Sequence, residues 1–258
     1  MTLLSDQAED IRALMGPADP GALWAVGGPE GVQAASDTAA AAGDTLFDVD
    51  GLATILALWP AIGTLVDEGT LRLHTPLTAY ATPPPNATGT AAAASAPGAL
   101  TAHHLLTHAG GSAALTRLAE ELSGSPLADL AAARVWRPLG MSRTHYADGA
   151  LRAPVADLVR FLSHLLAPAD TGSGAGGISR AWTAESLRIR TGELTPPRGL
   201  LWHPTPHGAW SHHAPGPTGP ALWISPRHHR WALLLPTTPH PHLRTSFRDT
   251  AFPPTGPR

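Results

Sequence analysis

Residues 46–80 read LFDVDGLATILALWPAIGTLVDEGTLRLHTPLTAY, and the fold turns on how this stretch is read. Leu52, Ile55, Leu56, Trp59, Ile62, Leu65 and Val66 recur at the three- and four-residue spacing of one helix face. The spacing predicts a buried helix over 52–68. Pro60 has no N–H for the preceding turn, so it should kink that helix or set a boundary in it. Gly69 is placed to stop it. Just upstream, alternation puts Phe47 and Val49 on one side of an extended segment and Asp48 and Asp50 on the other.

Working outward, residues 21–35 (GALWAVGGPEGVQAA) predict a hairpin around a Gly-Gly-Pro-Glu-Gly turn. Residues 83–98 are a Pro-, Ala- and Thr-rich loop. Helices are expected over 101–109, with Thr101 as N-cap, and over 113–123, 126–136 and 154–167. A flexible connection is expected at 168–177. PALWI at 220–224 and WALLL at 231–235 predict a second hairpin, followed by a last helix at 243–250. Strands near both ends with helices between them predict an α/β chain of the α+β sandwich kind. The expectation is one unit over 1–258, with an antiparallel sheet from about 15–50 and 200–258 and a helical region inserted at about 51–199.

Composition narrows the chemistry. The 258 residues carry a net charge of −3 and contain no Cys and no Lys; all 17 basic residues are Arg. Thiolate nucleophiles, disulfides and Cys-ligated zinc are excluded. So is any lysine base or Schiff-base former. The slightly acidic balance argues against nucleic acid as partner. The longest uncharged apolar run, Gly51–Val66, is too short to span a bilayer and contains Pro60 and Gly63. The opening MTLLSDQAEDIRALMG carries Asp6, Glu9 and Asp10 and lacks a secretory pattern, which predicts a cytoplasmic location. A small molecule is the expected partner, without nucleic acid, membrane, cofactor or metal; the oligomeric state is open.

Five blocks in order, over roughly residues 20–250, resemble the serine β-lactamases and penicillin-binding-protein-like esterases. They are 46–80 above, ALTAHHLLTHAGG (99–111), RPLGMSRTHY (137–146), APVADLVRFLSHLL (153–166) and SHHAPGPTGPALWISPRHHRWALLLPT (211–237). The resemblance implies a β-lactamase/transpeptidase-like fold. It also implies a Ser-x-x-Lys motif at the head of the buried helix, where one helical turn sets an amine beside the attacking hydroxyl. Gly51 stands at the serine position and Thr54 at the lysine position. The Tyr-x-Asn motif falls on Gly110-Gly111-Ser112, and the Lys-Thr-Gly or His-Thr-Gly motif on Ala214-Pro215-Gly216, with His213 one residue early. In a nucleophile triad such losses cost about a million-fold in rate, roughly 8 kcal/mol. Acyl-enzyme hydrolysis is therefore not expected.

The candidates that remain are non-covalent. His212 and His213 can act as general acid and base on the sheet edge, or be solvated edge histidines. Asp50, beside the vacated serine position, is a candidate pocket base; for Asp48 and Asp50 together, capping of the helix is the competing role. Asp48, Gly51, Thr54, Ser112, Trp202 and Trp210 are candidate substrate-binding residues, with Gly51 expected to leave a roomier pocket floor. Thr54 and Ser112 equally suit drift in a dead site. His104 and His108, four apart on a helix, carry no third ligand, so no metal is assigned. Two functions stay open. One is a repurposed cyclase, dehydratase or isomerase for a small metabolite, in specialised metabolism; the other is a pseudoenzyme that binds a ligand or serves structure.

Overall fold

The computed structural model describes residues 3–80, 100–108, 110–167, 177–190, 196–216 and 219–254. The loop expected at 83–98 lies outside these residues, as does the connection at 168–177 apart from Gly177. In chain order the elements are α1 (Leu3–Ala18), β1 (Leu23–Gly28), β2 (Gly31–Ala35), α2 (Asp37–Ala41), β3 (Phe47–Asp48) and α3 (Trp59–Asp67). Next come α4 (Ala102–Thr107), α5 (Ser112–Ser123), α6 (Leu127–Ala131), β4 (His145–Ala147), β5 (Ala150–Ala153), α7 (Val155–Leu166) and α8 (Arg180–Ser186). The last are β6 (His203–Pro204), β7 (Trp210–His213), β8 (Ala221–Ser225), β9 (Arg230–Leu235) and α9 (Leu243–Ala251).

The two predicted hairpins meet in one antiparallel sheet ordered β2-β1-β9-β8-β7-β6, with Leu23 opposite Leu235 and Ala25 opposite Leu233. Alternation along the strands splits their side chains between two cores. Leu23, Leu222, Ile224, Leu233 and Leu235 face the helices of the middle of the chain. Trp24, Val26, Trp223 and Leu234 face Ile11 and Met15 of α1 and Phe247 of α9. Burial on both faces explains why WALLL is an unbroken apolar run rather than an alternating one.

The predicted buried helix is three pieces in series: a 3-10 turn at Asp50–Leu52, a π-helical turn at Thr54–Leu58, and α3. Pro60 sets the boundary, at the first turn of α3. Its missing N–H leaves the carbonyl of Leu56 without its usual partner. The indole of Trp136 donates to that oxygen at 2.8 Å. Further along, the Trp182 indole donates to Trp59 O at 3.1 Å. A Cβ on Gly63 would lie 2.5 Å from that ring, so the close approach of Trp182 needs the glycine. Pro138 repeats the device: the carbonyl of Arg134 accepts from Gly177 N at 3.0 Å.

Four elements depart from expectation. α1 carries Asp6, Glu9 and Asp10 on its exposed side and buries Ile11 and Met15, an amphipathic pattern not anticipated. α2 and α8 are short, each with a serine N-cap, Ser36 and Ser179. A second small sheet, β3-β5-β4, pairs Phe47 with Ala153 and Asp48 with Arg152. Its strands are two to four residues long, too short to leave a periodic signal. Thr101 caps α4 as expected, accepting from His104 N at 3.2 Å. No helix among the described residues is long and apolar enough to cross a membrane.

Candidate functional site

Where the head of the buried helix meets the sheet edge, a cleft of about 210 Å³ opens. Gly51 and Thr54 come from the helix head, Leu106, His108 and Ser112 from α4 and the start of α5, Arg198, Gly199, Leu201, Trp202 and His203 from the segment entering β6, and His212, His213 and Pro215 from β7 and beyond. Of the residues expected at a site, Gly51, Thr54, Ser112, Trp202, His212 and His213 line this cleft. Asp48, Asp50 and Trp210 do not.

The two aspartates are engaged elsewhere. Asp50 is exposed, and its Oδ1 accepts from Leu151 N at 3.2 Å, which ties the helix head to β5. Asp48 Oδ1 accepts from Asp50 N at 3.1 Å, while Oδ2 lies 3.6 Å from Arg152 Nη1. The Asp48 bond to Asp50 N is of the capping kind weighed against a pocket base; the tie from Asp50 to β5 was not anticipated. Asp48 borders instead a larger, mainly apolar groove of about 500 Å³ beside Leu23, Phe47 and Leu235. Trp210 packs half-buried against the main core.

The floor at Gly51 is closed rather than roomy, contrary to expectation. A Cβ there would lie 2.2 Å from Ala214 Cβ and 3.5 Å from Pro220 Cδ. The Ala214 methyl group fills the volume a serine side chain needs. Two hydroxyls remain in the cleft, those of Thr54 and Ser112. Among the described residues neither is hydrogen-bonded to an imidazole, so no nucleophile–base pair is assembled.

Imidazoles dominate the polar lining. His212 is 9% exposed, and its Nδ1 lies 2.9 Å from Leu201 O. A carbonyl only accepts, so Nδ1 carries the proton of the neutral ring and Nε2 keeps its lone pair. Burial pushes His212 down to about 4, and the charges of His203 and His213 act the same way against the Leu201 hydrogen bond. His203 is also lowered to about 4, by burial first and then by the charges of Arg198 and His213. The His203 ring centre lies 6.5 Å from that of His212 and 6.2 Å from that of His213. His213 Nδ1 sits 3.0 Å from Ala214 O, with Arg244 Nη1 3.4 Å away.

Leu201, which orients His212, has φ of +62°. A bulky side chain in the left-handed region is strained by roughly 1–3 kcal/mol. The surroundings enforce it: Leu201 N donates to Leu106 O at 2.8 Å and Leu200 N to Ser186 O at 3.0 Å. Sequence reasoning missed Arg198, Leu201 and His203, and weighed His108 only as a metal ligand. His203 enters through β6, a two-residue strand paired with β7, and nothing in LWHP marks it among fourteen histidines. Among the described residues no three His, Asp or Glu side chains are grouped to hold a metal ion.

Several solved structures are similar to this one in fold. A β-lactamase from Mycobacterium bovis superposes with a TM-score of 0.65 over 90% of this chain and 93% of that one, at 22% identity. A β-lactamase/D-alanine carboxypeptidase from Yersinia pestis, complexed with citrate, gives 0.70 over 97% of both chains at 13% identity. EstCE1, a hydrolase with promiscuous acyltransferase activity, gives 0.67 over 96% and 98% at 12% identity. The chain has the β-lactamase fold. No family model and no curated protein sequence matches it. Within the β-lactamase fold, the cleft described above lies between sheet edge and helix head, with Gly51 where the resemblance places the nucleophile.

Proposed function

We propose that this protein is a repurposed β-lactamase-fold enzyme, a non-covalent acid/base catalyst of the cyclase, dehydratase or isomerase type for a small organic metabolite. Hydrolysis belongs to the proteins it is similar to. Here Gly51 supplies no nucleophile, Ala214 occupies its space and Thr54 supplies no amine. The observation that carries the proposal is His212. A buried imidazole is held in one tautomer by the carbonyl of a strained leucine, within one cleft that also holds His203 and His213. Strain of this kind persists only where the structure enforces it, and it concentrates at working sites.

The chemistry follows from the protonation states. At neutral pH His212 and His203 are uncharged, so His212 Nε2 can accept a proton or a hydrogen bond from a ligand. An imidazole of low basicity gives a proton back readily. That suits a shuttle between two positions on one substrate rather than storage of charge. His213, on the exposed side of the cleft, is placed to act as the opposite partner.

The second reading, a binding protein without turnover, is favoured by one observation: among the described residues no carboxylate lines the cleft. One experiment separates the two. The purified protein is screened against metabolites made by the enzymes of neighbouring genes, and product is followed by mass spectrometry. Positioned acid/base groups contribute about 10²–10⁴-fold, so His212→Gln should lose product formation by that factor with its melting temperature retained at pH 7. Binding without turnover by the parent protein would leave the second reading.

A further inference from the structure

We propose that the facing imidazoles of His74 and His103 form an acid-sensitive joint: at neutral pH it holds α4 and the Leu201–His212 wall of the cleft in place, and it releases them as pH falls. His74 lies in the segment that follows α3, and His103 is the second residue of α4. Their ring centres are 4.7 Å apart, with 34° between the planes. Main-chain bonds pin the same two segments together. His103 N donates to Leu73 O and Leu77 N to Leu100 O, both at 2.9 Å, and Pro76 pairs with Thr101 in a single antiparallel bridge. Two neutral rings can face each other at this distance, but two imidazolium ions repel.

The surroundings add to that repulsion. His104 and His108 belong to the same helix and its cap, with ring centres 5.3 Å apart, and Arg190 comes from the segment after α8. Glu185 of α8 is bonded to Arg188 and Arg190. The half-buried His103 ring is held below its usual 6.5, by burial first and then by His74, Arg190, His104 and His108. Each of those neighbours is a base. A proton therefore binds the parted arrangement more readily than the closed one. Closure is secure above about pH 6.5 and weakens as pH falls below it. The consequence reaches the cleft along α4. Leu106 O accepts from Leu201 N at 2.8 Å, and Leu201 O fixes His212 Nδ1 at 2.9 Å. His108, at the end of α4, lines the cleft itself. Loosening α4 thus frees the carbonyl that sets the His212 tautomer. Any effect on activity rests on the reading of the cleft as the working site; the joint itself is read without a substrate.

The test is nuclear magnetic resonance on the whole protein. The rings of His74 and His103 are titrated, and amide hydrogen exchange is compared at pH 7 and about pH 5.5 after correction for intrinsic rates. In His74→Gln the His103 ring should titrate at higher pH than in the parent. At the lower pH the amides of His103 and Leu201 should exchange at least about threefold faster in the parent than in this variant. They should also exchange faster than that of Leu233 in β9, which reports opening of the whole molecule. His74→Glu sets a carboxylate against His103, so acid should tighten these amides instead of loosening them. The proposal is overturned if the His103 midpoint ignores residue 74, if both variants exchange like the parent, or if His103 and Leu201 open only together with Leu233. Acid release of Leu201, with no metabolite turned over, upholds the joint and removes the catalytic reading. Turnover that depends on His212, with Leu201 equally protected at both pH values, does the reverse.

Discussion

At the scale of single residues, the decisive pair is Gly51 and Ala214. Gly51 has no side chain, and the volume that one would need is occupied. Ala214 Cβ would stand 2.2 Å from any Cβ at position 51. Overpacking of this kind costs about 1–3 kcal/mol. The Gly51→Ser/Thr54→Lys variant, which restores the motif on paper, should therefore lower the melting temperature and still fail to take an acyl-serine probe. Adding Ala214→Gly should recover stability. Thermal melting reads the first point and intact-protein mass spectrometry the second; robust labelling of the double variant would show that the space is available after all, and labelling of the parent would reveal another nucleophile.

At the scale of elements, the broken helix shows how one proline is accommodated by distant tryptophans. Pro60 strips Leu56 of its backbone donor, and Trp136, 80 residues further along the chain, supplies one. Trp182 lies against Gly63 and bonds Trp59 O. Propensity alone would favour alanine over glycine inside a helix by about 1 kcal/mol. Gly63→Ala should nevertheless destabilise, by about 1–3 kcal/mol, because the added methyl meets the Trp182 ring at 2.5 Å. Chemical denaturation measures it, and a stabilised variant would refute the packing account.

At the scale of the whole molecule, the buried imidazoles make stability depend on pH. His212 titrates near 6.5 when unfolded and near 4 when folded. Between those values the unfolded chain binds the extra proton, so stability is full above about pH 6.5 and falls as pH drops towards 4. For His212 the loss amounts to roughly 3 kcal/mol; the more open His203 adds less. Melting curves from pH 7 to 4 should show this slope, and His212→Gln should flatten it. Asp19 acts in a lower window. Burial raises its pKa, but bonds from Thr237 and Thr238 outweigh this and hold it below the usual 3.8, so its contribution is lost only as pH falls beneath that value.

Much of this architecture was legible in the chain. Helical spacing from Leu52 to Val66, the turn at 27–31 and the paired apolar runs at 220–224 and 231–235 are local patterns, set by side-chain period and turn chemistry. The absence of Lys and the glycine at 51 are likewise plain in the sequence. Which polar groups share the cleft was decided by tertiary structure alone. Asp50 stands next to Gly51 in sequence, yet its carboxylate is claimed by Leu151 N, a partner 101 residues away. His203 joins His212 only because a two-residue strand brings it alongside β7. Burial then makes those imidazoles neutral, and burial belongs to the packed molecule, which excludes the water that would otherwise solvate their charge.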